Sequence, residues 1–204
     1  MHFDYKTILG GIAVVVAFVS YVPYFRNMFT GRTKPHAFSW LVWGILNAIA
    51  FAGQTHDKGG AGSWSVGLTA AVMFFIFAVS LRLGEKDIRA FDWFCLVTAL
   101  LSLIPWFLTN NPLTSVVIIT VIDALGFAPT VRKAYAKPGQ ETVVTFVLSV
   151  IKYGLVVAAL QKYTLVTLLF PVAVGIMNAL FVLMLLVRRM QLKLRYSDGS
   201  SRGN

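Results

Sequence analysis

Apolar residues in this chain fall in long runs rather than in the one-sided stripes of a soluble helix or the alternation of a strand. A bilayer core about 30 Å thick is crossed by on the order of 20 apolar residues in α-helix. The sequence offers seven such runs, over residues 7–28, 36–54, 62–83, 90–109, 112–134, 142–160 and 163–188. Short connections with helix breakers separate them: Gly31 with Pro35, the Gly59–Gly62 tract, Asn110-Asn111-Pro112 and Pro138-Gly139. None is long enough to hold a domain outside the lipid. The first run follows Lys6 as a secretory signal would, but no small-residue cleavage site comes after it and further spans do, so it is read as a membrane helix. The pattern predicts an all-α integral membrane protein of seven transmembrane helices.

Composition agrees with that class. Of 204 residues, 57% are hydrophobic and 13% charged, where a soluble domain carries about 45–50% and ~25%. A net charge of +10 would point to nucleic acid only if the basic residues shared one surface. They divide by loop instead. Arg26, Arg32, Lys34, then Arg82, Lys86, Arg89, then Arg132, Lys133, Lys137, then Arg188, Arg189, Lys193, Arg195 and Arg202 fall on one side; Lys6, Lys58 and Lys162 fall on the other, and Lys152 lies inside a span. Fourteen against three is the positive-inside signal. It predicts an N-terminus outside and a C-terminus in the cytoplasm, in a multi-pass protein of the cell (inner) membrane. The lipid bilayer is the expected surrounding, and nucleic acid is not an expected partner. Cys95, the single cysteine, allows no internal disulfide and is expected to pack within its helix.

The chain also matches itself. A shift of 106 positions lays Pro23-Tyr24-Phe25-Arg26 on Pro129-Thr130-Val131-Arg132, Phe29 on Tyr135, Ser39 on Thr145, Trp40 on Phe146 and Arg82 on Arg188. Spans one to three form one unit and spans five to seven the other, with span four as connector. An odd number of intervening spans makes the copies parallel, a 3-1-3 repeat about an axis along the membrane normal, and places a solute site at their interface. The corresponding divisions are residues 1–86, a connector at 87–111, residues 112–190, and a disordered cytoplasmic tail over 191–204. Pro23, Pro129 and Pro171 fall inside helices, where a missing backbone N–H makes a hinge or a static kink; Pro23 and Pro129 are the hinge candidates.

This plan, with Pro-x-x-Arg at the inner end of the first helix of each unit, resembles the PQ-loop superfamily, which includes the SWEET sugar transporters and cystinosin-like amino acid exporters. Pro23-Tyr24 and Pro129-Thr130 stand where that superfamily has Pro-Gln. The resemblance covers about residues 7–188. It implies alternating access by rocking of the two units around a central pocket.

Candidate pocket residues follow from helical spacing. Thr142, Thr145, Ser149 and Lys152 form one stripe of the sixth span, bordered by Tyr153. Such a polar stripe is expected to face a bundle interior or a wet cavity. The repeat-related face of span two is His36, Ser39, Trp40, Trp43 and Asn47. The resemblance implies that aromatic rings and Asn amides hold the solute, with Asn178 at a suitable depth and Val72 at its counterpart position. The substrate-binding candidates are therefore Trp43, Asn47, Ser149, Lys152, Tyr153 and Asn178; packing and interhelical bonding are the competing role for the Trp and Asn residues.

Asp123 and Lys152 both fall near mid-membrane, where an isolated charge costs on the order of 2.5–3.5 kcal/mol, so a mutual pair between neighbouring spans is expected. Three roles stay open: exchange of a proton or substrate carboxylate, an anion site on Lys152 tuned by Asp123, and a permanent structural pair. Asp92 and Trp93 read as anchors at the start of the connector, His36 as an interfacial or capping residue, and Glu85-Lys86-Asp87 as a solvated loop. No nucleophile triad, metal cluster or nucleotide motif is evident, so neither catalysis nor a cofactor or metal is expected. The expected function is a transporter or facilitator for a small polar solute, with proton linkage left open and the oligomeric state unassigned. The rival is a non-transporting membrane receptor or assembly factor on the same fold.

Overall fold

A backbone surrounded by hydrocarbon must satisfy its own polar groups, so apolar runs of this length become helices. The computed structural model describes residues 5–56 and 61–201; Lys58, Arg202 and the Gly59-Gly60 half of the glycine tract lie outside the described residues. The elements are α1 (Tyr5–Phe29), α2 (Ala37–His56), α3 (Ala61–Leu83), α4 (Ala90–Leu101), α5 (Leu103–Leu108), α6 (Pro112–Ala136), α7 (Val143–Ala159) and α8 (Leu165–Ser201), with a 3-10 turn at Pro138–Gln140. There is no strand among the described residues. With α4 and α5 counted as two pieces of one span, the helices are seven. Four segments are long and apolar enough to cross a membrane: Tyr5–Phe29, Ala90–Leu108, Pro112–Ala136 and Leu165–Lys193; Ala37–Ala52, Gly67–Leu83 and Val143–Ala159 are apolar but shorter. Large apolar side chains such as Val22, Phe94, Phe107 and Leu180 point outward, the surface expected of a protein solvated by lipid.

Local chemistry sets the breaks. Gly31, at φ +72°, ends α1 in the left-handed region that glycine adopts without penalty. Asn111 caps α6 by accepting from the Leu113 and Thr114 N–H groups at 2.9 and 3.2 Å, with Pro112 in the first turn. The predicted fourth span is broken at Ser102, because Pro105, four residues after Leu101, has no N–H to give the Leu101 carbonyl. In the other direction, α8 continues to Ser201 through the stretch expected to be a disordered tail. The good helix formers of Gln191–Arg195 carry it past the lipid-length run.

The helices form a ring in the order α1, α3, α2, α6, α8, α7, closed by α7 against α1. Consecutive spans α6 and α7 do not approach closely along their backbones, since α8 lies between them, and they meet through side chains such as Phe127 and Phe146, with ring centroids 6.1 Å apart. The expected adjacency of those two spans is thereby narrowed to a side-chain contact within one unit. One core joins α1, α2 and α3 through Tyr24, Met28, Trp40 and Ile76; another joins α6, α7 and α8 through Phe127, Phe146, Phe181 and Leu185. A third, of Val42, Leu96, Ala99 and Ile122, fastens α4 to α2 and α6. Trp43 touches the first two cores. Gly126 permits close approach at the α2–α6 seam, where an added Cβ would lie 2.7 Å from a Val42 methyl. Cys95 is buried, as its helix position predicts.

Candidate functional site

The ring encloses a cavity of about 530 Å³, within the range of roughly 300–1,000 Å³ typical of small-molecule sites. The amphipathic spacing read from the sequence decides which side chains reach it. From α7 come Thr145, Ser149, Lys152 and Tyr153, from α2 come Trp40, Trp43 and Asn47, and Asp123 and Asn178 enter from α6 and α8. All six substrate-contact candidates and Asp123 thus share one space. Pro23 and Pro129 lie within α1 and α6, outside the lining. Val72 packs in the core of the first three helices.

The expected Asp123–Lys152 contact is not made. The two groups hang from helices whose backbones are kept apart by α8, and neither comes within 4.0 Å of an opposite charge among the described residues. Sequence adjacency suggested contact, but α8 packs between the two helices and both groups line the cavity without meeting. Lys152 Nζ instead sits 4.0 Å from the Tyr153 ring centroid, a cation–π distance. The two amides are tied by their nitrogens: Asn47 Nδ2 donates to Trp43 O at 2.9 Å, and Asn178 Nδ2 donates to Val174 O at 2.8 Å. Their carbonyl oxygens have no protein donor among the described residues.

The rest of the two polar stripes turns away from the cavity and closes one end of it. Thr142 accepts from Asn27 Nδ2 at 3.1 Å and shares a hydrogen bond of 2.6 Å with Thr33. Thr130 donates to Ser39 Oγ at 2.8 Å, and Thr145 donates to Ser20 O at 2.9 Å. Each bond joins α1, α2 or their connection to α6, α7 or theirs. Beneath them Lys133, 1% exposed, donates to Lys34 O at 2.6 Å, to Gln140 O at 3.1 Å and to the Glu141 carboxylate. Lys34 N donates to Gln140 O at 3.2 Å, and Arg189 ties down Pro138 O and Glu141 O. Burial pushes the Glu141 carboxyl above its ordinary value, against the attraction of Lys133.

A second charged knot fastens the connector to this floor. Asp92 is fully buried, accepts from Arg89 N at 2.8 Å and from Arg132 Nε at 2.7 Å, and lies 3.5 Å from His36 Nε2. The anchor role expected for Asp92 is thus enlarged into an ion pair with α6, while Trp93 is exposed as an anchor would be. His36 is wholly enclosed rather than interfacial; burial lowers its basicity more than the Asp92 carboxylate raises it. Glu85 is also buried and receives Lys137 Nζ at 2.8 Å, so the loop expected to be solvated is partly a tether. Burial raises the Glu85 carboxyl, but Lys137 and the N–H groups of Lys86 and Asp87 outweigh it, leaving a value below the usual one. Arg132, Lys133, Asp92, Glu85 and Glu141 were not legible as site residues in the sequence because their partners lie up to 99 residues away; the one local sign was the short Lys133–Glu141 interval across the Pro138-Gly139 turn. Among the described residues no group of three metal-ligating side chains is present.

No protein-family model matches the chain, and no curated protein and no solved structure matches it significantly.

Proposed function

We propose that the chain is a transporter or facilitator for a small polar solute in the inner membrane of a cell, working by alternating access. On this reading all seven helices cross the lipid as two parallel triplets, α1–α3 and α6–α8, joined by the connector α4–α5, with the N-terminus outside and the C-terminus in the cytoplasm. The ring order supports the repeat, because each triplet has its third helix between its first and second. The single observation that carries the function is a cavity on the seam between the triplets, with unbonded polar groups in its wall and a closure at one end made of bonds that cross the seam. Such a closure can be exchanged for water when the triplets rock apart, and α1 and α6, which carry Pro23 and Pro129, open the two triplets.

The test is counterflow. Full-length protein is screened by thermal shift against sugars, amino acids, carboxylates and vitamins, since a ligand of the folded state raises apparent stability. Any binder is then loaded into proteoliposomes and exchanged against its labelled form. Protein-dependent, saturable exchange is expected; binding without exchange for every ligand found would replace the transporter with the receptor reading.

A further inference from the structure

The cavity wall carries one fixed anion and one fixed cation, and they do not neutralise each other directly. Asp123 is 8% exposed and has no hydrogen-bond donor among the described residues; Lys152 has only the Tyr153 ring, at 4.0 Å, as a close partner. A structural ion pair is ordinarily made in contact, because each charge withdrawn from water costs several kcal/mol and only a close partner repays it. Here α8 packs between the backbones of the two helices that carry these charges, and both side chains line the same space without meeting.

Resting on the transport reading of this cavity, we infer that its substrate is a zwitterion, whose ammonium is taken by Asp123 and whose anionic group is taken by Lys152. Charge counting selects this class. A neutral solute leaves both wall charges without a partner, and a singly charged solute leaves one. A zwitterion satisfies both and adds no net charge to the enclosed space. The remaining wall fits the same ligand. The free carbonyl oxygens of Asn47 and Asn178 accept further ammonium protons. Trp43, lying 5.6 Å from Phe127 and 5.3 Å from Trp40 between ring centroids, offers aromatic surface to an apolar body. Aromatic faces also favour cations, which helps the ammonium rather than opposing it.

Two ligand series on purified full-length protein test this. The first keeps one body: phenylalanine, its methyl ester as the cation alone, 3-phenylpropionate as the anion alone, and 3-phenylpropionamide as the neutral form. The second varies charge separation, from glycine through 4-aminobutyrate to 6-aminohexanoate, with the matching alkylamines and carboxylates. At least one zwitterion is expected to bind tenfold or more tightly than each of its single-charge analogues. Equal binding of a single-charge or neutral analogue in both series, or no saturable binding in either, overturns the inference. Asp123→Asn is expected to lose the zwitterion and retain the anion, and Lys152→Gln to lose the zwitterion and retain the cation. A merely structural pair would weaken every ligand alike. If the variants do not fold, the wild-type series alone decides. Counterflow separates the two claims: exchange of a neutral sugar with no zwitterion preference sinks this inference and leaves transport standing, whereas zwitterion binding without exchange does the reverse.

Discussion

Removing the Lys133 ammonium should loosen the whole closed end of the cavity. Lys133→Met keeps the length of the side chain and deletes three hydrogen bonds, to Lys34 O, Gln140 O and the Glu141 carboxylate. Breaking a buried pair from one side costs about 3–5 kcal/mol, because the remaining charge is left without compensation. The adjoining Glu141→Leu change removes that charge. What then remains is the loss of donors to two backbone carbonyls, at about 1 kcal/mol each. The double variant Lys133→Met/Glu141→Leu is therefore expected to be less destabilised than Lys133→Met alone, by about 1–3 kcal/mol from the difference of those two costs. Denaturant unfolding of detergent-solubilised protein, followed by tryptophan fluorescence, measures all four corners of the cycle. A single variant as stable as wild type, or a double variant whose loss equals the sum of the singles, would refute the reasoning.

Three further outcomes follow from other contacts. Gly84→Ala places a Cβ against the Ser80 and Pro35 carbonyl oxygens, and backbone atoms yield poorly, so a loss of about 1–3 kcal/mol is expected in the same unfolding assay. Glu85 has its folded-state value held below the ordinary 4.5, so its contribution is full above that pH and fades as the pH falls through the depressed value. Glu85→Gln should lower the melting temperature at neutral pH and flatten its fall below pH 4.5; parallel curves for variant and wild type would remove the tether. Pro105→Ala supplies the missing amide to the Leu101 carbonyl, so hydrogen exchange should show new protection at position 105 as α4 and α5 join; an unprotected amide there would mean that packing against α6, not proline, makes the break.

The helices were legible because lipid-length apolar runs leave the backbone little choice. Their cavity-facing sides were legible too, since Thr145, Ser149 and Lys152 repeat at helical spacing and each lines the cavity. The same rule stopped at Thr142, one turn earlier on the stripe, which bonds across the seam instead. Sequence could not order the helices around the ring: nothing in a string of residues says that α8 inserts between α6 and α7, and with that order went the expected Asp123–Lys152 contact. Likewise Arg132 and Asp92 are 40 residues apart in sequence, so their pairing has no periodicity to betray it. The break at Ser102 was readable from Pro105 and was subsumed in a hydropathy run that averages over one turn.

Basic residues at the closed end carry two physical burdens at once. As charges they belong to the set from which the sequence predicts orientation under the positive-inside rule. Yet Lys133, Arg132 and Lys137 do not stand free in solvent, because each is bonded to a carboxylate on another element. Orientation alone would be met by hydrated loops, so these bonds answer a different need: Lys133 reaches across the seam to Lys34 O, Arg132 fastens the connector through Asp92, and Lys137 tethers the loop at Glu85. Net, each hydrogen bond is worth only about 0.5–1.5 kcal/mol, since water replaces the partner when the bond opens. Apolar groups parted in the same way would expose unsatisfied surface at about 25 cal/mol per Å² with nothing gained in return. A polar closure is thus firm when several bonds act together and inexpensive to part when water enters, and these are the properties that a cavity opening alternately to two sides requires of its closed end.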